Sequence, residues 1–140
     1  MAGTLRGLLI VLGVSAIAIC LSIVGAGPTE TAWAFEGAFD AALGRHDPLS
    51  TRWPPTMDSE LRFYAPLFGA YGVLILSVAR DMAGRRHLIP WIALVFFLGG
   101  MGRAVSWAVV GAPHPLFLAL MAVELILPGV LIGLARASAH

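Results

Sequence analysis

Four near-continuous apolar runs constrain this chain more than any other feature, each about long enough to cross a hydrocarbon core of roughly 30 Å. They lie at about residues 7–27, 61–79, 88–110 and 116–135. Lipid offers no partner to a bare amide or carbonyl, so a single chain of this length crosses as helices that pair their own backbone. The last two runs are separated only by Gly111-Ala-Pro-His-Pro115, which forces an antiparallel helical hairpin. Residues 28–57 form the single extended polar stretch. The expected fold is all-α and integral to a membrane, one domain over residues 1–140. It is a four-transmembrane-helix bundle with a short amphipathic surface helix in its first, outer loop.

Composition agrees. Only 12% of residues are charged and 59% are hydrophobic, with a mean hydropathy of +0.86, whereas soluble domains carry about 25% charged residues. Every Lys or Arg position is Arg, and none clusters into a basic stripe, so nucleic-acid binding has no support. The single cysteine, Cys20, lies inside an apolar run, which excludes an intrachain disulfide or a thiolate metal cluster and points to core packing. His46, His87, His114 and His140 are scattered without metal-ligand spacing. No activated nucleophile pattern is present. Neither a catalytic residue, a metal nor a cofactor is expected, although Glu60 with Glu124 could serve as an acid–base pair.

The first run has two readings. Ala32-Trp33-Ala34 resembles a signal-peptide cleavage site, but the preceding apolar run exceeds a usual signal core, which favours a retained helix. A lipidation motif at Cys20 fails on the bulk of Ile19. Gly3, Gly7, Gly13 and Ser15 put small residues on this helix for close packing. After it, Ala32, Phe35, Phe39, Ala42 and Leu43 recur at helical spacing, with Glu36 and Asp40 on another face. This predicts an amphipathic helix over Thr31–Leu43, capped by Thr29 or Thr31, with Trp33, Phe35 and Phe39 at the membrane interface. A packed loop over the bundle mouth is the alternative. Pro48, Pro54 and Pro55 make the following segment irregular.

The second crossing opens with Asp58-Ser-Glu-Leu-Arg62, where Asp58 or Ser59 can cap it. Pro66 and Pro128 each remove a helical amide, freeing the carbonyls of Arg62 and Glu124. Arg103 and Glu124 are the only charges inside the two hairpin helices. Arg103 lies eight residues before Gly111 and Glu124 nine residues after Pro115, so both sit roughly 12–14 Å below the turn. Opposite charges at one depth on neighbouring helices can pair, and charges in lipid normally do. Gly99, Gly100, Gly102 and Ser106 leave room beside the guanidinium, and Trp107 can stack on it or on a ligand.

Two uses of the pair stay open. One is a structural ion pair, Arg103 with Glu124, that fixes the register of the hairpin. The other is a polar pocket of Glu60, Arg62, Tyr64, Arg103, Ser106, Trp107 and Glu124 for the head of a lipophilic molecule, such as a lipid, quinone or isoprenoid. Arg6, Arg80, Arg85, Arg86 and Arg136 fall on one side of the membrane, against Arg45 and Arg52 on the other. The positive-inside rule therefore puts both termini in the cytoplasm and residues 28–57 outside.

Glu60-Leu-Arg-Phe-Tyr64, Gly99-Gly-x-Gly-Arg103-x-x-Ser106, Gly111-x-Pro-His-Pro115 and Glu124-x-x-x-Pro128 resemble a bacterial family of small four-helix membrane proteins. That family is catalogued as a domain of unknown function (number forty-three forty-five). The resemblance covers Asp58–Leu134 well and the first helix by position. It implies four crossings in a bacterial inner membrane and singles out Glu60, Arg62, Arg103, Ser106 and Glu124, but it brings no activity. The layout is also loosely similar to the four-helix scaffold protein of sterol biosynthesis, including the step Arg103-x-x-Ser106. The expected function is a non-enzymatic accessory or scaffold subunit, with membrane lipids and other integral membrane subunits as partners. The alternative is a binder, carrier or enzyme of a lipophilic molecule at Arg103 and Glu124.

Overall fold

A computed structural model describes residues Met1–Ser138, and among them every regular element is helical. The order is α1 (Ala2–Gly25), α2 (Pro28–Leu43), α3 (Pro55–Arg80), a single turn α4 (Met82–Arg85), a 3-10 turn (Arg86–Leu88), α5 (Ile89–Val110) and α6 (Pro115–Ala137). Four stretches are long and apolar enough to cross a membrane by length and composition: α1, α3, the continuous Met82–Val110 and α6. His140, one of the four scattered histidines, lies outside the described residues.

Several helices start earlier than hydropathy alone indicates, and proline explains most of the difference. Pro28 and Pro115 occupy the first turn of α2 and α6, and Pro55 opens α3, positions where a missing amide costs nothing. Thus α2 begins at Pro28, not at Thr31, and neither Thr29 nor Thr31 caps it. The cap is Gly27, whose φ of 114° suits a residue without a Cβ. At its other end Gly44 adopts the left-handed conformation (φ 62°). Arg45 N–H donates to the carbonyl of Asp40 at 2.8 Å, closing a Schellman motif.

The chain divides into two compact units. One comprises Met1–Val11 together with the chain from Ile75 onward. Its core is apolar: Leu5, Leu9, Ile75, Val78, Ala79, Ile89, Ile92, Ala93, Leu127 and Leu131 are buried. Within each helix these positions recur every three or four residues, as a single buried stripe requires. Here α5 and α6 form the hairpin. Gly100 is buried, and a Cβ on it would come 2.9 Å from Leu125 Cδ2, so the absence of a side chain lets α6 approach.

The second unit, Leu12–Leu74, buries small and polar residues instead. Its buried set includes Ala16, Ala32, Ala65, Thr29, Thr31, Glu36 and Asp40. The later half of α1 meets α3 almost backbone to backbone. A Cβ on Gly72 would stand 2.7 Å from the Gly13 carbonyl oxygen, and one on Gly69 would stand 2.7 Å from Cys20 Sγ. Gly13 and Cys20 therefore serve packing, while Gly3 and Gly7 face open space.

Candidate functional site

Arg103 comes from the middle of α5 and Glu124 from the middle of α6. Arg103 Nε donates to Glu124 Oε2 at 2.8 Å, with side-chain exposures of 37% and 19%. The guanidinium carbon lies over the Phe117 ring, 5.6 Å from its centroid. Glu124 lies along the two glycines of α5: a Cβ on Gly99 would be 3.6 Å from Glu124 Oε2, and one on Gly100 would be 3.2 Å from Glu124 Cβ. A guanidinium has five N–H donors. Among the described residues, only Nε is hydrogen-bonded, and the two Nη groups are open. Trp107, the expected stacking partner, is 46% exposed. Phe117 takes that role; being apolar in an apolar run, it gave no signal in the sequence.

The other residues singled out by sequence have distinct surroundings. Ser106, one turn on from Arg103, and Gly102, its neighbour in sequence, are exposed on α5, and nothing lies within 4 Å of a Cβ built on Gly102. Glu60, Arg62 and Tyr64 belong to the Leu12–Leu74 unit. There Arg62 pairs with Asp58, not Glu60: Nε donates to Asp58 Oδ1 at 2.7 Å, one helical turn away. Its Nη1 donates to the Val24 carbonyl at 2.7 Å and so satisfies one of the last acceptors of α1. Asp58 is thereby a partner of Arg62 within the helix, since α3 starts at Pro55. Glu60 and Tyr64 are exposed.

A second polar cluster was not foreseen. The periodicity of α2 predicted an apolar face for the membrane interface with Glu36 and Asp40 on another; Phe35 is exposed, but the inward stripe is Thr29, Ala32, Glu36 and Asp40, so the acids face the protein. The reason is the returning segment, residues 44–53, whose backbone needs acceptors. Glu36 accepts the backbone amide of Ser50 at 2.8 Å and also the Ser50 hydroxyl. Asp40 Oδ2 accepts the amide of Asp47 at 2.9 Å, and Thr29 Oγ1 that of Trp53 at 3.3 Å. In return Trp33 Nε1 donates to the Ser50 carbonyl at 2.6 Å. Thr31 Oγ1 donates to the Gly27 carbonyl at 2.7 Å and lies 2.8 Å from Ser22 Oγ, tying α2 to the end of α1. The sequence signal was the i,i+4 pair of acids Glu36 and Asp40 on a helix followed by a proline-rich return.

At the rim of this cluster Arg52 donates to Glu30 at 2.7 Å and lies 5.0 Å from the centroid of the Trp33 ring. The backbone amide of Glu30 itself and the Arg52 guanidinium hold the Glu30 carboxyl below the usual carboxylate range. Glu30 also stands in the first turn of α2, where the helix dipole favours a negative charge.

At the hairpin turn His114 caps α6. Its Nδ1 accepts the amide of Leu116 at 3.2 Å, which makes it an acceptor in a turn.

No curated protein and no solved structure matches the chain. The family model described as "Domain of unknown function (DUF4345)" matches residues 4–135, nearly the whole length, and the chain belongs to that family.

Proposed function

We propose that this protein is a multi-pass integral protein of the bacterial inner membrane, with both termini cytoplasmic, that acts without catalysis as an accessory or scaffold subunit of a larger membrane complex. Much of its outer surface is large and apolar, as at Phe63, Val109, Val110 and Ile126, and such a surface needs lipid or other helices around it. The observation that carries the reading is on α5. Gly102 and Ser106, one turn apart beside Arg103, are exposed, and nothing lies within 4 Å of a Cβ built on Gly102, a low-relief face on which the backbone of a partner helix can approach closely. The orientation is supported by five arginines on the side of the termini against Arg45 and Arg52 on the other.

Gentle purification in native lipid, followed by mass spectrometry of everything that travels with the protein, tests the reading. A stoichiometric membrane partner that is lost on Gly102→Leu is the expected result. A protein that purifies alone from native lipid would sink it.

A second reading is favoured by the open Nη groups of Arg103. In it the Arg103–Glu124 pair holds a lipophilic molecule, and the accessory subunit carries or presents that molecule to its partner.

A further inference from the structure

Arg103 is a donor with most of its capacity unused, and its surroundings restrict what can use it. We propose that the open edge of Arg103 binds an uncharged carbonyl oxygen of a lipophilic molecule, a ketone, quinone, ester or amide, and not an anionic headgroup. The proposal deepens the second reading above and rests on α5 and α6 crossing a membrane.

Three features select this class. The first is charge. Glu124 already neutralises Arg103 through the 2.8 Å contact, so a phosphate or second carboxylate would leave a net negative charge in hydrocarbon, which is costly. A neutral acceptor satisfies the remaining N–H groups and keeps the cluster at zero.

The second is depth. Arg103 lies eight residues before Gly111, roughly 12 Å inside the end of α5. Phosphates of bilayer lipids sit outside the roughly 30 Å core. Nε is held by Glu124, and the guanidinium carbon lies 5.6 Å from the centroid of Phe117 in the first turn of α6, so the group is tied to α6 at both points and does not follow a headgroup. The acceptor must come to the arginine, which a lipophile dissolved in the core can do.

The third is approach. Phe117 lies against the guanidinium and Glu124 takes Nε, leaving the Nη groups. Gly99 is on the Glu124 side, but Gly102, next to Arg103, is exposed with nothing within 4 Å of a Cβ built on it, and Ser106, one turn further along α5, is exposed as well. A flat carbonyl compound can lie against such a surface, and Ser106 can supply one more hydrogen bond.

The test uses the full-length protein in nanodiscs of ether-linked phosphatidylcholine, whose lipids carry no ester carbonyl to compete. Its probe is a long-chain methyl ketone labelled with carbon-13 at the carbonyl, read by difference infrared spectroscopy. Dodecyl phosphate and the parent alkane serve as competitors. The expected result is a saturable downshift of the labelled C=O stretch, insensitive to the alkane and only weakly displaced by dodecyl phosphate. Binding should weaken by at least about tenfold on loss of this charge-assisted hydrogen bond. That loss is read both in Arg103→Leu and in the double variant Arg103→Leu/Glu124→Leu, which leaves no unpaired charge and guards against misfolding. No downshift in the wild type, an equal downshift in the double variant, or tighter binding of dodecyl phosphate than of the ketone overturns the proposal. Labelling of Ala112→Cys, at an exposed position of the hairpin turn, from outside the bilayer in a Cys20→Ala background checks the crossing. An intact crossing without a downshift refutes the carbonyl site alone, whereas a hairpin that does not cross refutes the reading beneath it as well.

Discussion

Glu36 is completely buried and accepts both the backbone amide and the hydroxyl of Ser50, fourteen residues further along the chain. One carboxylate thus fastens the middle of the return segment to α2. Glu36→Ala removes both bonds and leaves the Ser50 amide without its acceptor. The expected cost is about 1–3 kcal/mol, with faster tryptic cleavage at Arg45 and Arg52. Unchanged cleavage in Glu36→Ala would show that the clamp contributes nothing.

Two glycine substitutions should behave oppositely. Alanine at Gly72 would put its Cβ 2.7 Å from the Gly13 carbonyl oxygen, a backbone atom that cannot step aside. Gly72→Ala is expected to destabilise by about 1–3 kcal/mol through overpacking. Gly102→Ala meets nothing within 4 Å and should be neutral, or stabilising by roughly 0.5–1 kcal/mol from helix propensity. Thermal unfolding of both variants in one detergent makes the comparison. Equal losses at the two sites would contradict the packing described here.

Removing one member of the hairpin ion pair should cost more than removing both. Arg103→Ala strands the Glu124 carboxylate in an apolar helix, at an expected cost of about 3–5 kcal/mol. Replacing both residues by Leu should be close to neutral for folding. The exchange Arg103→Glu with Glu124→Arg should recover part of the stability. Failure of the exchange while each single variant folds normally would argue against direct pairing.

The Glu30 carboxyl offers a pH test outside the four long apolar helices. Its own backbone amide and Arg52 lower its pKa from the ordinary 4.5. A group whose folded-state pKa is depressed adds stability above its unfolded value and loses it as pH falls through the folded one. The contact with Arg52 should therefore persist at neutral pH and weaken only below about 4.5. An NMR titration of the Glu30 carboxyl carbon should show a midpoint below that of an exposed glutamate. Arg52→Gln should raise it. A midpoint that ignores Arg52 would remove the ion pair from the account.

The four long apolar helices were legible because runs of that length with almost no charge have few other solutions. The meeting of Arg103 and Glu124 was legible for a related reason: two charges equally far from a tight turn fall at one level. What could not be read was the inside of α2. Counting apolar residues placed Phe35 and Phe39 at the membrane interface but did not show that the opposite stripe is buried, where Glu36, Asp40 and Thr29 accept backbone amides of the stretch from Gly44 to Trp53. Hydrogen-bond demand outweighed apolar periodicity, and that demand arises from a segment distant in sequence. Arg62 illustrates the same limit, since its partner Val24 offers a carbonyl, a group present in every residue.

The bond from Arg62 to Val24 also sets an order of events during synthesis. The end of α1 leaves the ribosome with its final carbonyls bare, and its cap lies 38 residues later, in the second turn of α3. Until that turn has emerged, the Val24 carbonyl lacks this donor. The arrival of α3 closes α1, α2 and the intervening return into a ring. The loop between the first two long apolar helices is therefore finished only when the second of them begins.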